Sequence, residues 1–527
     1  MILDFQQSLT GYDFTADLIV VGSGPVGLAI ASEFATNANI KVLVLESGAD
    51  KMTSFQSDLN KVISSGDVAT GQEGSRARAL GGSSTLWGGQ LVQFGEIDFQ
   101  KRGWIEHSGW PISGETIAPH YARAAKFYGV DFNLDTQDKW RQNVLKDKAF
   151  ENADLDTFYT HWSPWPDLFK RYMPLFRDSR NVDILKNATM TKMSVAQEDD
   201  RIESITVTRE DGFSLELTAK IIVLCTGGIE NARLLLMANK ENSNRLGNQE
   251  GMVGRYFQDH LGYYGCRLIP KQIKQFQRIF ASHFVKDQMY LPRIGLMPGK
   301  QISSELLNIN GNIVIQECHG ASMALKRIFN DIKSKRFNRD TCKQILLAVS
   351  QPAESMRLGV SYLLSKKMYF PVQANYFLIS NCETPPLLES QVRLSSKLDV
   401  SGMPRADVSW RVPDTVRQTL LEYNKSIKKA LEGLGAADGI PKELLYDSDS
   451  NWRESGYSLF HHMGTTRMSP TQKTGVVDEH CKVHGMSNLY VAGTSVFPTG
   501  GASNPTFTAT ALAFRLADEL HQQLKPF

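Results

Sequence analysis

The sequence predicts an α/β protein, α+β overall, in which a discontinuous doubly wound domain carries a second lobe of mostly antiparallel sheet and helices. Three observations predict it. Residues 18–21 (Leu-Ile-Val-Val) form a short apolar run that flows into Gly22-Ser23-Gly24-Pro25-Val26-Gly27 and then into Leu28-Ala29-Ile30-Ala31. Runs of the same character return far along the chain, at 221–225 before Thr226-Gly227 and at 489–492 before Gly493-Thr494. They stop at glycine, as strands entering a ligand-facing edge do. Between them the period changes. Residues 391–394 and 406–410 alternate polar and apolar, the mark of antiparallel strands with one wet face.

The first unit is the most specific. Lys41-Val42-Leu43-Val44-Leu45 is a second buried strand, so 18–46 reads as strand, glycine turn, helix and strand, a Rossmann-like βαβ. Gly22 permits the tight turn, Gly24 lets the backbone approach a pyrophosphate, and Gly27 lets the helix pack closely. Ser23 and Pro25 lie in that turn, and the helix N-terminus faces the phosphates. Glu46, 19 residues beyond Gly27 and followed by Ser47, suits a ribose diol.

With strands near 18, 42, 221 and 489, the nucleotide-binding domain is expected to comprise 1–95, 181–268 and 456–527. The second lobe takes 96–180 and 269–455. In that lobe Val416, Leu420, Tyr423, Ile427, Leu431 and Leu434 recur at three- and four-residue spacing, an amphipathic helix stopped at Gly435.

Composition excludes several classes. Lys plus Arg number 58 and Asp plus Glu 56, a net +2 that argues against nucleic acid as the main partner. Six scattered Cys include no C-x-x-C pair, zinc spacing or c-type haem motif, so no metal is expected. The start lacks the basic and apolar regions of a secretory signal, and no run of about 18 apolar residues exists, so a cytoplasmic location is expected. One stretch stands apart. Residues 321–370 hold ten cations and three anions, a net +7 that leaves −5 for the remainder. With apolar residues interleaved, the segment reads either as a solvated basic insertion or as a docking surface for an anionic membrane, a lipid-linked substrate or an acidic partner.

Two further segments carry chemistry. Leu80 to Gly89 is a second glycine-rich loop containing Gly82-Ser83-Ser84-Thr85-Leu86-Trp87. Its small residues and hydroxyls suit close contact with a polar ligand. Near the C-terminus His461-His462-Met463-Gly464-Thr465 precedes the 489 strand, and Asn504-Pro505-Thr506 follows it. Asn504 reads as the N-cap and Pro505 as the first position of a helix through Leu512, Leu516 and Leu520, whose dipole suits developing negative charge.

Together these segments resemble the glucose–methanol–choline (GMC) oxidoreductase family of flavoproteins. The βαβ unit is similar to the family's FAD-binding unit and the 81–89 loop to its flavin-contact loop. Residues 226–236 resemble its mid-chain signature without the later glycines. Residues 383–385 and 391–404 resemble its substrate-domain strands. The resemblance implies FAD, with Thr226, Gly227, Gly493, Thr494, Pro505 and Thr506 joining the residues above as contacts. It implies His461, in His-x-x-Gly-Thr, as the catalytic base, and Asn504, 43 residues on, as the second catalytic position and a further flavin contact. Asn there is similar to the pyranose-oxidase and bacterial sugar-dehydrogenase branch. An amide takes no proton near neutral pH, so Asn504 can only orient or polarise. Leu86 stands where some pyranose oxidases carry a flavin-linking His, which implies non-covalent FAD. The other histidines, His260 among them, read as structural or surface.

The expected function is therefore FAD-dependent oxidation of an alcohol, a sugar or glycoside hydroxyl, with the proton going to His461 and hydride to flavin N5. A flavin-containing lyase on the same fold and a catalytically silent flavoprotein docking through 321–370 are the alternatives. The electron acceptor (oxygen, quinone or protein) is not legible.

Overall fold

A computed structural model describes the chain apart from residues 8, 10, 37–38, 72–73, 132–149, 151–152, 198, 286–287, 317–319, 334–337, 364–367, 372–373, 448–450 and 526–527. Cys318, His319, Lys335, Arg336, Lys366 and Lys367 thus lie outside the described residues.

A six-stranded sheet forms the first layer. Its order is Ile2–Asp4, Val182–Lys186, Val42–Leu45, Ala16–Val21, Ala219–Leu224 and Leu489–Val491, every pair parallel. The four runs singled out by sequence are therefore consecutive neighbours, drawn from segments hundreds of residues apart. Parallel strands need helices over both faces, which explains why these runs are apolar throughout: Leu18, Ile19, Val20 and Val44 have no exposed surface. The helix Pro25–Phe34 packs tightly on this sheet. A Cβ on Gly27 would lie 2.0 Å from the carbonyl oxygen of Gly22, so only glycine permits the approach.

A nine-stranded sheet forms the second unit. Along its main path lie Ala437–Pro441, Leu261–Pro270, Asn375–Cys382, Ile309–Gln316, Gln288–Leu296, Leu155–Trp162 and Gln90–Leu91, all antiparallel. Gly456–Ser458 pairs alongside Leu261–Pro270, and His283–Val285 alongside Gln288–Leu296. The helix Asp414–Leu434 covers it, burying every residue of the predicted stripe, and ends at Gly435 with φ +58°.

Gln391–Leu398 and Pro404–Ser409 pair antiparallel, as their alternation requires. They do not join the large sheet. With Ile63–Ser64 they make a separate three-stranded sheet packed on the helix Gly227–Glu241. A second difference concerns the last helix, Thr506–Gln523. Pro505 occupies the capping position and the Asn504 side chain does not cap, because its amide is turned toward His461.

Behind the junction of the two large sheets sits an ion pair. Arg102 Nη1 and Nη2 lie 2.7 and 2.6 Å from the two carboxylate oxygens of Glu383, with side chains 2% and 0% exposed. Burial raises the Glu383 pKa, but Arg102 outweighs it and holds the group ionised. Removing one partner strands a buried charge. Arg102→Met should lose about 3–5 kcal/mol of unfolding free energy, whereas Arg102→Met with Glu383→Leu should lose less; denaturant melts of the three proteins compare them.

Candidate active site

The strand order reverses at Ala16–Val21, with Val42–Leu45 on one side and Ala219–Leu224 on the other. A parallel sheet opens a crevice at the carboxyl ends of its strands where order reverses. Here that crevice is a cleft with about 1320 Å³ of protein-free space, part of it open to solvent. Of the sequence-predicted contacts, Gly22, Gly24, Pro25, Glu46, Ser47, Gly82 and Ser83 line it. So do Thr226, Gly227, Gly493, Thr494, Pro505, Thr506 and His461.

The others stand behind the wall. The Ser23 amide and hydroxyl donate to Glu46 Oε2 (3.1 and 2.6 Å). Gly27 serves packing. Ser84 and Thr85 donate to the carbonyls of Gly81 and Gly82 within the turn Gly82–Thr85. Trp87 Nε1 reaches Pro166 O at 2.9 Å. Leu86 is 49% exposed and does not line the cleft. Asn504 meets the cleft through His461.

The cleft has the shape and chemistry of a dinucleotide site. A Cβ on Gly82 would stand 2.8 Å from Gly24 Cα, so the two glycine segments touch, while a Cβ on Gly24 would meet nothing within 4 Å. Backbone is thus bared toward the cavity beside the N-terminus of Pro25–Phe34, as a pyrophosphate requires. Glu46 is 5% exposed at the far end. Burial raises its pKa, opposed by bonds from Ser23 and Gly48 and by the charge of Arg78. These residues would suit FAD, with Gly22 and Gly24 facing the pyrophosphate and Glu46 facing a ribose.

Sequence reading missed the cations of this wall. Arg78 Nη2 lies 2.8 Å and Arg76 Nη1 3.7 Å from Glu230, which also binds Arg233 Nη1 at 3.0 Å. Burial would raise the Glu230 pKa, but Arg78, Arg233 and Arg76 hold it down at about 2. The only signal was the alternation Arg76-Ala77-Arg78 before the second glycine loop.

His461 is presented by the turn after the strand Gly456–Ser458. Its position is fixed by Asp259, a fully buried carboxylate. Asp259 Oδ1 accepts from the amides of His260 (2.7 Å) and His461 (2.9 Å), and Oδ2 from Ser458 Oγ (2.6 Å) and Thr70 Oγ1 (3.0 Å). Burial pushes the Asp259 pKa up to about 6.

The side chain of His461 lies in a chain of three partners. Its Nδ1 is 2.8 Å from His260 Nδ1, and its Nε2 is 3.2 Å from Asn504 Nδ2. His260 Nε2 is 3.2 Å from the carbonyl oxygen of Gly500. A carbonyl only accepts, so His260 carries its proton on Nε2 and presents a lone pair at Nδ1. His461 must then donate from Nδ1, which leaves the lone pair on Nε2, facing the Asn504 amide. Burial pushes the His260 pKa down to about 4. It also pushes that of His461 well below the usual imidazole value, with His260, Arg293 and His462 adding to the effect. Both rings are neutral at neutral pH, as the chain of donors requires. His462, in contrast, points away from Asn504. Its Nε2 is 3.9 Å from Asp259 Oδ2, and burial lowers its pKa to about 3. Asn504 Oδ1 is buried without a partner.

The family model described as GMC oxidoreductase matches residues 386–513. The chain is 24% identical to 2-methyl-1,2-propanediol dehydrogenase of Mycolicibacterium austroafricanum, over 96% of this chain and 95% of that protein. It is 43% identical to C-glycoside 3-oxidase of Arthrobacter globiformis over 130 residues, which are 24% of this chain and 23% of that one. Among solved structures, pyridoxine 4-oxidase from Mesorbium loti superposes with a TM-score of 0.58 at 15% identity, covering 96% and 99% of the two chains. The chain is an oxidoreductase that binds FAD, and its C-terminal part is similar to the glucose–methanol–choline oxidoreductases.

Proposed function

We propose that this enzyme oxidises a secondary or primary hydroxyl of a sugar or glycoside, with His461 as base and Asn504 as the group that holds the substrate oxygen. One observation carries the reading: the lone pair on His461 Nε2 and the Asn504 amide converge at 3.2 Å beside the cleft. FAD held along Gly22, Gly24, Glu46, Gly82, Thr226 and Thr494 supplies the acceptor for a hydride. His461 Nε2 takes the hydroxyl proton, and the Asn504 amide N–H polarises the oxygen it leaves. His260 acts through His461 as a positioning residue that keeps the proton on Nδ1 and the base at Nε2. Asp259 holds both backbones. Support for a sugar-like substrate comes from the relatives named as acting on glycosides and diols. In this reading the FAD-binding unit comprises 1–95, 181–268 and 456–527, and the nine-stranded sheet roofs the substrate. A docking role for 321–370 belongs to the same reading. No described helix is long and apolar enough to cross a membrane.

The direct test is an anaerobic screen of sugars and glycosides for bleaching of the oxidised flavin band; bleaching by none of them would remove this substrate class. Leu86, a hydrocarbon 49% exposed, offers the flavin no atom for a covalent link. Acid precipitation should therefore leave the yellow colour in the supernatant.

His461→Ala should slow anaerobic flavin reduction by about 10²–10⁴-fold, and His462→Ala by far less. Equal losses would mean that the base is elsewhere. Because the His461 pKa is depressed, the base form persists above it and is lost only as pH falls through it. Flavin reduction should stay level from alkaline pH down through about 6.5, the ordinary histidine value, and decline only below that. His260→Phe removes the acceptor that fixes the tautomer. It should lower the rate at saturating substrate and shift the acid limb of the pH profile with little change in KM, a combination that loss of packing alone would not give.

A further inference from the structure

Three helices of the basic segment, Ala321–Lys333, Arg339–Ser350 and Pro352–Leu363, pack on one another. Gln277 Nε2 on Ser361 Oγ (3.1 Å) ties them to the helix Ile273–Phe280. A helix on a protein surface normally turns its apolar stripe inward and its charges outward. Here the pattern is inverted. In Arg339–Ser350 the buried positions are Thr341 and Ala348, both small, while Leu346 and Val349 are each 70% exposed. In Pro352–Leu363 Ser361 is buried, while Met356 and Val360, one turn apart, are 69% and 46% exposed. Apolar groups of this size gain about 1.5–3 kcal/mol each on leaving water. None of the described residues of this chain provides that burial.

The charges complete the pattern. Arg339 and Lys343 precede Leu346 by seven and three residues on one exposed face, and Arg357 adjoins Met356. Of the three acids in the segment, Asp331 is half-buried and accepts from Thr341 Oγ1 (2.7 Å), Glu354 is half-buried, and only Asp340 is exposed. We infer that the outer face of these helices docks on an anionic lipid bilayer, with Leu346, Val349, Met356 and Val360 entering the interface and Arg339, Lys343 and Arg357 meeting the headgroups. Charge complementarity selects this occupant. A second copy would set one net +7 segment against another. An acidic protein surface would satisfy the cations while leaving the most exposed positions without an apolar phase. The contact is peripheral, since no described helix is long and apolar enough to span.

This inference gives the docking role of the proposed enzyme its chemistry and its residues, and its test is independent of the redox reading. Purified holoenzyme is sedimented with phosphatidylglycerol–phosphatidylcholine vesicles and with pure phosphatidylcholine vesicles, at low and high salt. Two variants are compared: Arg339→Gln with Lys343→Gln and Arg357→Gln, and Leu346→Ser with Val349→Ser, Met356→Ser and Val360→Ser. Wild type should bind the anionic vesicles at low salt and release at high salt. A cation near such a surface is worth about fivefold in partitioning, so the first variant should bind on the order of a hundredfold more weakly. The second should also lose binding, while both keep the wild-type melting temperature and the wild-type rate of flavin reduction. Failure of wild type to bind anionic vesicles at low salt would overturn the inference. So would binding that neither variant weakens, or self-association without vesicles that the serine variant abolishes. If vesicle binding behaves as expected while no sugar bleaches the flavin, the substrate reading falls and the docking surface stands.

Discussion

The site depends on one buried carboxylate. Asp259 has no exposed surface, yet it collects donors from three distant parts of the chain: the 259–260 turn, the 458–461 turn and Thr70. A buried acid with four good donors is tolerated; one with fewer is costly. The donors therefore fix the two backbones that carry His260 and His461, and the distance between the rings follows from them. Two strands of the antiparallel sheet, Leu261–Pro270 and Gly456–Ser458, and Thr70 come together beside it.

Around it the protein arranges charge asymmetrically. On the flavin side Arg76, Arg78 and Arg233 share Glu230, with Asp399 as a second partner of Arg233. On the opposite side Arg293 is 4% exposed and is met by neutral acceptors, Asn310 Oδ1 (2.6 Å) and Gln90 Oε1 (3.0 Å); burial pushes its pKa down to about 10. An isolated buried guanidinium is expensive. It lies close enough to depress the pKa of His461, so it helps keep that ring unprotonated.

Some of this was written plainly in the chain. The glycine pattern at 22–27, the strand at 42 and Glu46 act through local backbone geometry, and a motif of fixed spacing carries local geometry with it. The stripe of 416–434 was equally legible, because one covered face leaves a clear helical period. The strands of the nine-stranded sheet were not read in advance. Asn310 and Arg293 face polar partners on the side of that sheet away from the helix Asp414–Leu434, which erases the alternation of apolar and polar residues.

The sequence by itself determined the family resemblance, the parallel sheet and the pair His461 and Asn504, since each rests on residue types at short or recurring spacing. Tertiary structure alone decided what those residues do. Residue 260 lies 201 positions from its partner, and only folding sets its Nδ1 against that of His461; the Gly500 carbonyl then selects the tautomer. The fold likewise turned Asn504 from a helix cap into a donor to His461, because a side chain obeys the nearest acceptor in space and not the nearest in the chain.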